Sequence, residues 1–372
     1  MPGEVGKQTA ALLVDAASVP VRVSGSDGMD HIEYDLLVTN VFDAPVTLTS
    51  VEVLDGDGAM LVSLDGDALT TATQALLGPA PQSEIPANGA VAVVIDVVVS
   101  PEQPVADLTH TVSYEVASDA PARSLLGSFV VNGPWLEVSA QPEIVIEPPL
   151  RGAGWLDANG CCDPATLHRS LRLSADGLAI AKSETFAIDW IRWQEGRVFA
   201  GDGARNEDWY GFGADVLAVA DGTVVATRND RPEETPMAAP EHVQTPLDYG
   251  GNFVMLEIGP GIYAFYAHMQ TGSVTVEAGD TVEVGEVLGL LGNSGNTSGP
   301  HLHFAILDYP DPLVGNSLPM VFADYTLAGT VNAEAMMDPN ADPATVTLAL
   351  TGPPEPQENT LQLVFTVADF AD

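Results

Sequence analysis

Two histidines stand two residues apart directly behind a glycine-rich turn, in Gly292-Asn293-Ser294-Gly295-Asn296-Thr297-Ser298-Gly299-Pro300-His301-Leu302-His303-Phe304. Side chains alternate along a strand, so His301 and His303 point to the same side of one. Two adjacent imidazoles can serve one metal ion, or one can bind metal while the other moves protons. Three further residues could join them. His268 ends the run Tyr263-Ala264-Phe265-Tyr266-Ala267-His268. Asp189 lies inside the apolar run Phe186-Ala187-Ile188-Asp189-Trp190, where a carboxylate is costly to bury without a partner or a metal. His168 lies further upstream, in Leu167-His168-Arg169. His31 and His110 sit alone in strand-like segments and read as surface or core residues.

The elements that must carry these residues are strands. From about Leu12 to Val145, alternating runs recur at Val19 to Val23, Ile32 to Thr39, Val46 to Leu54, Val91 to Val99, Thr109 to Val116 and Gly127 to Val131, punctuated by Gly, Pro, Asp and Asn. That density of short strands suggests an immunoglobulin-like sandwich, a spacer or a binding module for an envelope partner. Gln141 to Leu150 reads as a linker, because its prolines oppose regular pairing. Beyond it glycine is dense, and every tryptophan but Trp135 occurs. Strand-like runs continue at Thr185 to Trp190, Asp215 to Ala220, Gly222 to Thr227, Asn252 to Ile258, Gly261 to His268, Ser273 to Glu277 and His301 to Leu307. Gly259-Pro260-Gly261 makes a hairpin of two of them. Pro232 to Asp248 is a polar, proline-containing excursion, the texture of a surface loop near a site. Asn206 to Gly213, rich in aromatics and glycine, reads either as a groove wall or as a plain turn. Two final runs, Thr345 to Leu350 and Thr360 to Val367, flank a proline-rich turn and can pair with either domain.

Composition narrows the function class. The formal net charge is -40, with 12 Lys+Arg against 52 Asp+Glu. So few basic residues argue against a nucleic-acid partner. Only Lys7 and Lys182 are lysines, an acidic surface that suits either a high-salt habitat or a very acidic secreted protein. No apolar run approaches the ~18 residues of a membrane span; Gly89 to Val99, broken by Asp96, is better read as a strand. No signal peptide is visible at the N-terminus. Cys161 and Cys162 are adjacent, a spacing poor for zinc and strained for a mutual disulfide, so they are expected to be structural thiols or to bridge elsewhere.

The Gly292 to Phe304 stretch resembles the second signature of the M23 (LytM-type, lysostaphin-like) zinc metallopeptidases, which ends in Gly-Pro-His-Leu-His-Phe. Tyr266-Ala267-His268-Met269 is similar to that family's Tyr-x-His-Leu segment. Val216 to Val224 and Ala278 to Gly289 are similar to its two glycine-punctuated strands. The resemblance covers roughly residues 165 to 325. It departs at one place. The family's first signature is His-x-Gly-x-Asp; Asp189 matches the aspartate, but Thr185 stands where the histidine belongs. A zinc peptidase needs three protein ligands and an open water position. His168 is the natural substitute, His242 the next, and a metal-free site the remaining possibility.

The resemblance implies a Zn²⁺ ion held by Asp189 and His303, with His168 the expected substitute for the missing third ligand. It assigns His268 and His301 to proton handling and to the oxyanion. Together with the strand pattern it gives an all-β chain: an N-terminal immunoglobulin-like β-sandwich (1–145), a LytM/M23-like antiparallel peptidase domain (146–325) and a short β extension (326–372). It further implies an extracellular or periplasmic endopeptidase acting on peptidoglycan peptides. Two other readings stand beside it. One is an inactive envelope protein that binds wall material or activates another wall hydrolase; the other is a secreted peptidase acting on proteins.

Overall fold

The computed structural model describes residues 8–76, 83–177, 179–332 and 347–372. Lys7, the start of the N-terminal segment and the first two residues of the Thr345 to Leu350 run lie outside them. The chain divides into two compact units. The first is Met1–Arg22, Gly28–Pro142 and Asp163–Ile180; the second is Val23–Asp27, Glu143–Cys162 and Ala181–Asp372. Among the described residues no helix is long and apolar enough to cross a membrane.

The first unit is a β-sandwich. One sheet runs β1 (Leu12–Ala16), β2 (Asp30–Asn40) and β5 (Ala90–Val99); the other holds β3 (Val46–Asp55), β4 (Met60–Asp65), β6 (Asp107–Val116) and β7 (Val130–Asn132). All these pairings are antiparallel. Period-two patterning builds the shared core: Ile32, Tyr34, Leu36 and Val38 of β2 join Val91, Val93, Ile95 and Val97 of β5 and Val51, Val53 and Val112 of the opposite sheet. The short helix α1 (Gly66–Ala72), which no periodicity announced, adds Leu69 and Ala72 to that core.

The alternate face of β2 is acidic and buried. The segment Asp163–Ile180 packs on it: Arg169 pairs with Glu33 at 2.5 Å, and Arg172 pairs with Asp35 at 2.6 Å and donates to Gln74 Oε1 at 3.1 Å. Buried charges of this kind hold only while both partners are present, because removing one leaves the other uncompensated.

The second unit is built on an eleven-stranded sheet among the described residues. Its strands are β8 (Ile144–Ile146), β9 (Gly152–Asp157), β10 (Ile188–Arg192), β11 (Gly222–Arg228), β12 (Asn252–Gly259), β13 (Ile262–Met269), β14 (Leu302–Leu307), β15 (Met320–Thr330) and β16 (Thr366–Phe370), with two short edge pairings, Thr281–Val282 and Glu355–Thr360. The order is β8-β15-β16-β9-β10-β14-β13-β12-β11. Every pairing is antiparallel except β8 with β15.

Several sequence expectations change here. The proline-flanked linker contains a strand, because Ile144 to Ile146 carries no proline and needs only three residues of ladder to pair with Met320 to Phe322. The run beginning at Thr185 is strand only from Ile188; Phe186 N–H donates to the Ser317 hydroxyl at 3.0 Å instead of to a ladder. Ser273 to Glu277 is not a strand; the Asn229 side chain bonds both Val274 N–H and its carbonyl. Thr347 to Leu350 makes no strand either, although Leu348 is buried with Leu156, Val331, Phe365 and Val367. Cys161 and Cys162 are bonded to each other, contrary to the expectation of thiols or distant bridges.

Candidate active site

β14 lies in the middle of the second sheet, and its neighbours decide what His303 meets. His303 is directly opposite Asp189 on β10 and Ala267 on β13. Opposed residues of antiparallel strands share a face. Asp189 and His303 therefore project together, and Ala267 leaves room beside them. Leu302, Phe304 and Ile306 turn to the other face, where Phe304 packs against Trp190 and Tyr266 with ring centroids 6.0 and 5.1 Å away. Below the site face, Ala187, Phe265, Ala305 and Leu307 form an apolar floor.

His301 precedes the strand and is oriented by the glycine turn. Its Nδ1 lies 2.8 Å from Gly299 O and 3.2 Å from Thr297 Oγ1. A carbonyl only accepts, so Nδ1 carries the proton. Two glycines make this turn possible. Gly295 has φ +87° and packs on the Gly251 backbone, where a Cβ would collide. Gly299 lies on the Trp209 ring, which a Cβ would approach to 2.6 Å. The aromatic loop thus braces the turn from beneath. The polar loop joins it: Glu234 N–H donates to Asn293 O and Met237 N–H to Ser298 O, both at 2.6 Å.

His268 is reached by a bulge. The β12–β13 register shifts between Asn252 and Val254, and His268 takes a left-handed φ of 60°. Its amide donates to Gly250 O at 2.9 Å, and Nδ1 donates to Ser294 O at 2.8 Å. Its ring centroid then lies 4.7 Å from that of His301 and 5.8 Å from that of His303. Non-glycine residues with positive φ are sparse, and strain of this kind concentrates at functional sites.

Asp189 links the group. Its Oδ1 is 2.9 Å from His303 Nδ1 and 3.5 Å from His301 Nε2. Its Oδ2 accepts from Asn159 Nδ2 at 3.1 Å. On the far side of the His303 ring, Nε2 is 3.4 Å from Glu184 Oε2. Burial holds the His268 pKa well below its ordinary value, and the neighbouring His301 and His303 push it the same way; Asp189 and the Ser294 carbonyl oppose them. Tyr249 is raised, first by burial and then by the charges of Glu184 and Asp189, against a hydrogen bond with the Asn296 side chain. Asn159, Glu184 and Tyr249 escaped the sequence reading. They reach the site from three separate segments, and no local pattern marks them.

His168 belongs to the first unit. It opens the 3₁₀ turn His168–Ser170, is 9% exposed, and is followed by the arginines that pair with Glu33 and Asp35. His242 is engaged elsewhere: its Nδ1 lies 3.1 Å from Glu234 Oε1 on the exposed loop. Within the second unit the donor set is one carboxylate and imidazole nitrogens, which suits zinc. Asp189 and His303 supply two of the three protein ligands such a centre needs.

Residues 209–313 match the model of peptidase family M23. That stretch holds His268, His301 and His303; Asp189 and His168 lie upstream of it. The peptidoglycan DD-endopeptidase ShyA of Vibrio cholerae serotype O1 is 32% identical over 96 residues, 26% of this chain and 18% of that protein. The DD-carboxypeptidase/endopeptidase Mpg of Neisseria meningitidis serogroup B is 41% identical over 54 residues, 14% of this chain and 12% of that protein. The matched stretch spans less than a fifth of the length of these curated relatives. The catalytic domain of lysostaphin from Staphylococcus simulans is 16% identical, covering 45% of this chain and 88% of that domain at a TM-score of 0.25.

Proposed function

We propose that the chain is a zinc-dependent endopeptidase that cleaves peptide cross-links or stem peptides of bacterial peptidoglycan in the cell envelope. The observation that carries this reading is the convergence of His268, His301, His303 and Asp189 on one face of the sheet. The names of the peptidoglycan-directed relatives support the substrate class. The first unit, read as an immunoglobulin-like sandwich, would meet an envelope protein partner.

Asp189 and His303 would hold the ion, with His168 as the third ligand in place of the histidine that Thr185 replaces. Continuity of the chain permits this choice. Asn159, hydrogen-bonded to Asp189, is nine residues from His168 along the chain, a reach of at most ~32 Å. A bound zinc would lower the pKa of its water toward neutrality and polarise the scissile carbonyl. His301 keeps its Nδ1 proton on Gly299 O and turns Nε2 toward the Asp189 carboxylate. That leaves Nε2 as the atom that takes a proton from the attacking water and returns it to the leaving amine. Burial disfavours the charged form of His268. We therefore assign His268 to orienting the group and to stabilising the oxyanion.

Zinc content tests the ligand set: about one ion per chain in the wild type, lost in His168→Ala. Full zinc in His168→Ala removes that residue from the set. Digestion of purified peptidoglycan tests the activity through newly exposed amino groups. A second reading, a non-catalytic envelope module, rests on Thr185. A zinc-loaded chain that releases no amino groups favours it.

A further inference from the structure

We propose that Glu184 is a positioning residue that fixes the proton on Nε2 of His303 and thereby strengthens its hold on the metal; this rests on the zinc-site reading above. Glu184 is 2% exposed, in the segment leading into β10. Its Oε2 stands 3.4 Å from His303 Nε2, while Nδ1 of the same ring stands 2.9 Å from Asp189 Oδ1. The Ser183 hydroxyl donates to the other carboxylate oxygen at 3.2 Å.

The ring chemistry follows from this placement. An imidazole ligates only through a nitrogen that carries no proton, and a neutral ring then carries its proton on the opposite nitrogen. The nitrogen on the Asp189 side is Nδ1. Its role as ligand requires the proton on Nε2, the nitrogen that lies 3.4 Å from Glu184 Oε2. A carboxylate in that position also makes the ring a stronger donor to a metal, as outer partners of ligating histidines do. Asp189 and Glu184 together place two negative charges on either side of one imidazole, a field suited to a dication.

The isosteric variant Glu184→Gln tests this. Zinc affinity, measured against a competing chelator, is expected to fall about ten- to a hundredfold. The melting temperature of the zinc-free variant should match that of the zinc-free wild type. In the zinc-loaded wild type the His303 Nε2 proton should give a downfield, slowly exchanging NMR resonance. That resonance should move upfield in Glu184→Gln and partly recover in Glu184→Asp, a pattern that a merely structural role does not produce. Should Glu184→Gln fail to fold, Glu184→Asp carries the test through the same affinity and resonance. Unchanged affinity with an unchanged resonance in the variant that folds overturns the proposal and leaves the zinc reading intact. A wild-type chain that takes up no zinc overturns both.

Discussion

Histidines in the two units solve the same problem in different ways. His110 in the sandwich and His301 at the candidate site each give the Nδ1 proton to a backbone carbonyl, Pro134 O at 2.7 Å and Gly299 O at 2.8 Å. The other nitrogen separates them. His110 Nε2 accepts the Tyr34 hydroxyl at 2.8 Å, inside the apolar core. His301 Nε2 faces Asp189, at the edge of a group that also contains His268 and His303. A structural histidine spends both nitrogens on its own fold. His301 spends one on orientation and turns the other toward a carboxylate.

The contrast is broken most sharply at the metal. Asp189→Asn or His303→Ala is expected to abolish zinc binding and reduce peptide cleavage to background, both read from metal content and released amino groups. Retention of zinc by His303→Ala would place the centre elsewhere. Next in size, His301→Ala should keep its zinc and lose ~10²–10⁴ in kcat, the usual range for a general base. Loss of zinc together with activity would make His301 a ligand.

The sandwich responds to a different measurement. His110→Leu leaves the Tyr34 hydroxyl buried without its acceptor, which costs ~1–3 kcal/mol. The expected result is a melting temperature lower by some degrees with zinc content unchanged. A loss of zinc in that variant would dissolve the distinction between the two histidines. The smallest effect is the response to acid. Burial lowers the His110 pKa below the ordinary 6.5. Above about pH 6.5 the residue is neutral in both folded and unfolded chains. As pH falls below that value the unfolded chain takes up the proton first, so stability is lost, at a slope of at most ~1.4 kcal/mol per pH unit for one group. Burial of His268 adds a trend of the same sign in the second unit. The difference between the wild type and His110→Leu isolates the sandwich contribution; parallel acid profiles would assign the slope to other groups.

Legibility in the sequence followed the range of the interactions. His301, His303 and their turn were readable because a glycine pattern and a period-two strand are local. The long core strands β2, β3, β5, β6, β12, β13 and β14 were readable for the same reason. Asp189 stood out as a charge in an apolar run. Asn159 and Tyr249 did not, since each reaches the site across the fold; Glu184 is local to Asp189 but lies outside any motif. The strand β8 was hidden by flanking prolines, and α1 is too short to show a period. The proline-rich tail gave no sign of its partner, because strand order is fixed by the sheet it enters and not by its own residues.

That tail has a bearing on how the protein is made. β16 lies between β15 and β9, and β9 adjoins β10, the strand that carries Asp189. Its pairing with Gly152–Asp157 joins residues more than two hundred positions apart in sequence. The ribosome makes β10 and β14 long before β16, and until then β9 and β15 lack the neighbour that unites them. The sheet that presents Asp189 and His303 is therefore completed only once residue 370 has emerged, and a nascent chain stopped short of that point leaves β9, the strand beside β10, as an open edge.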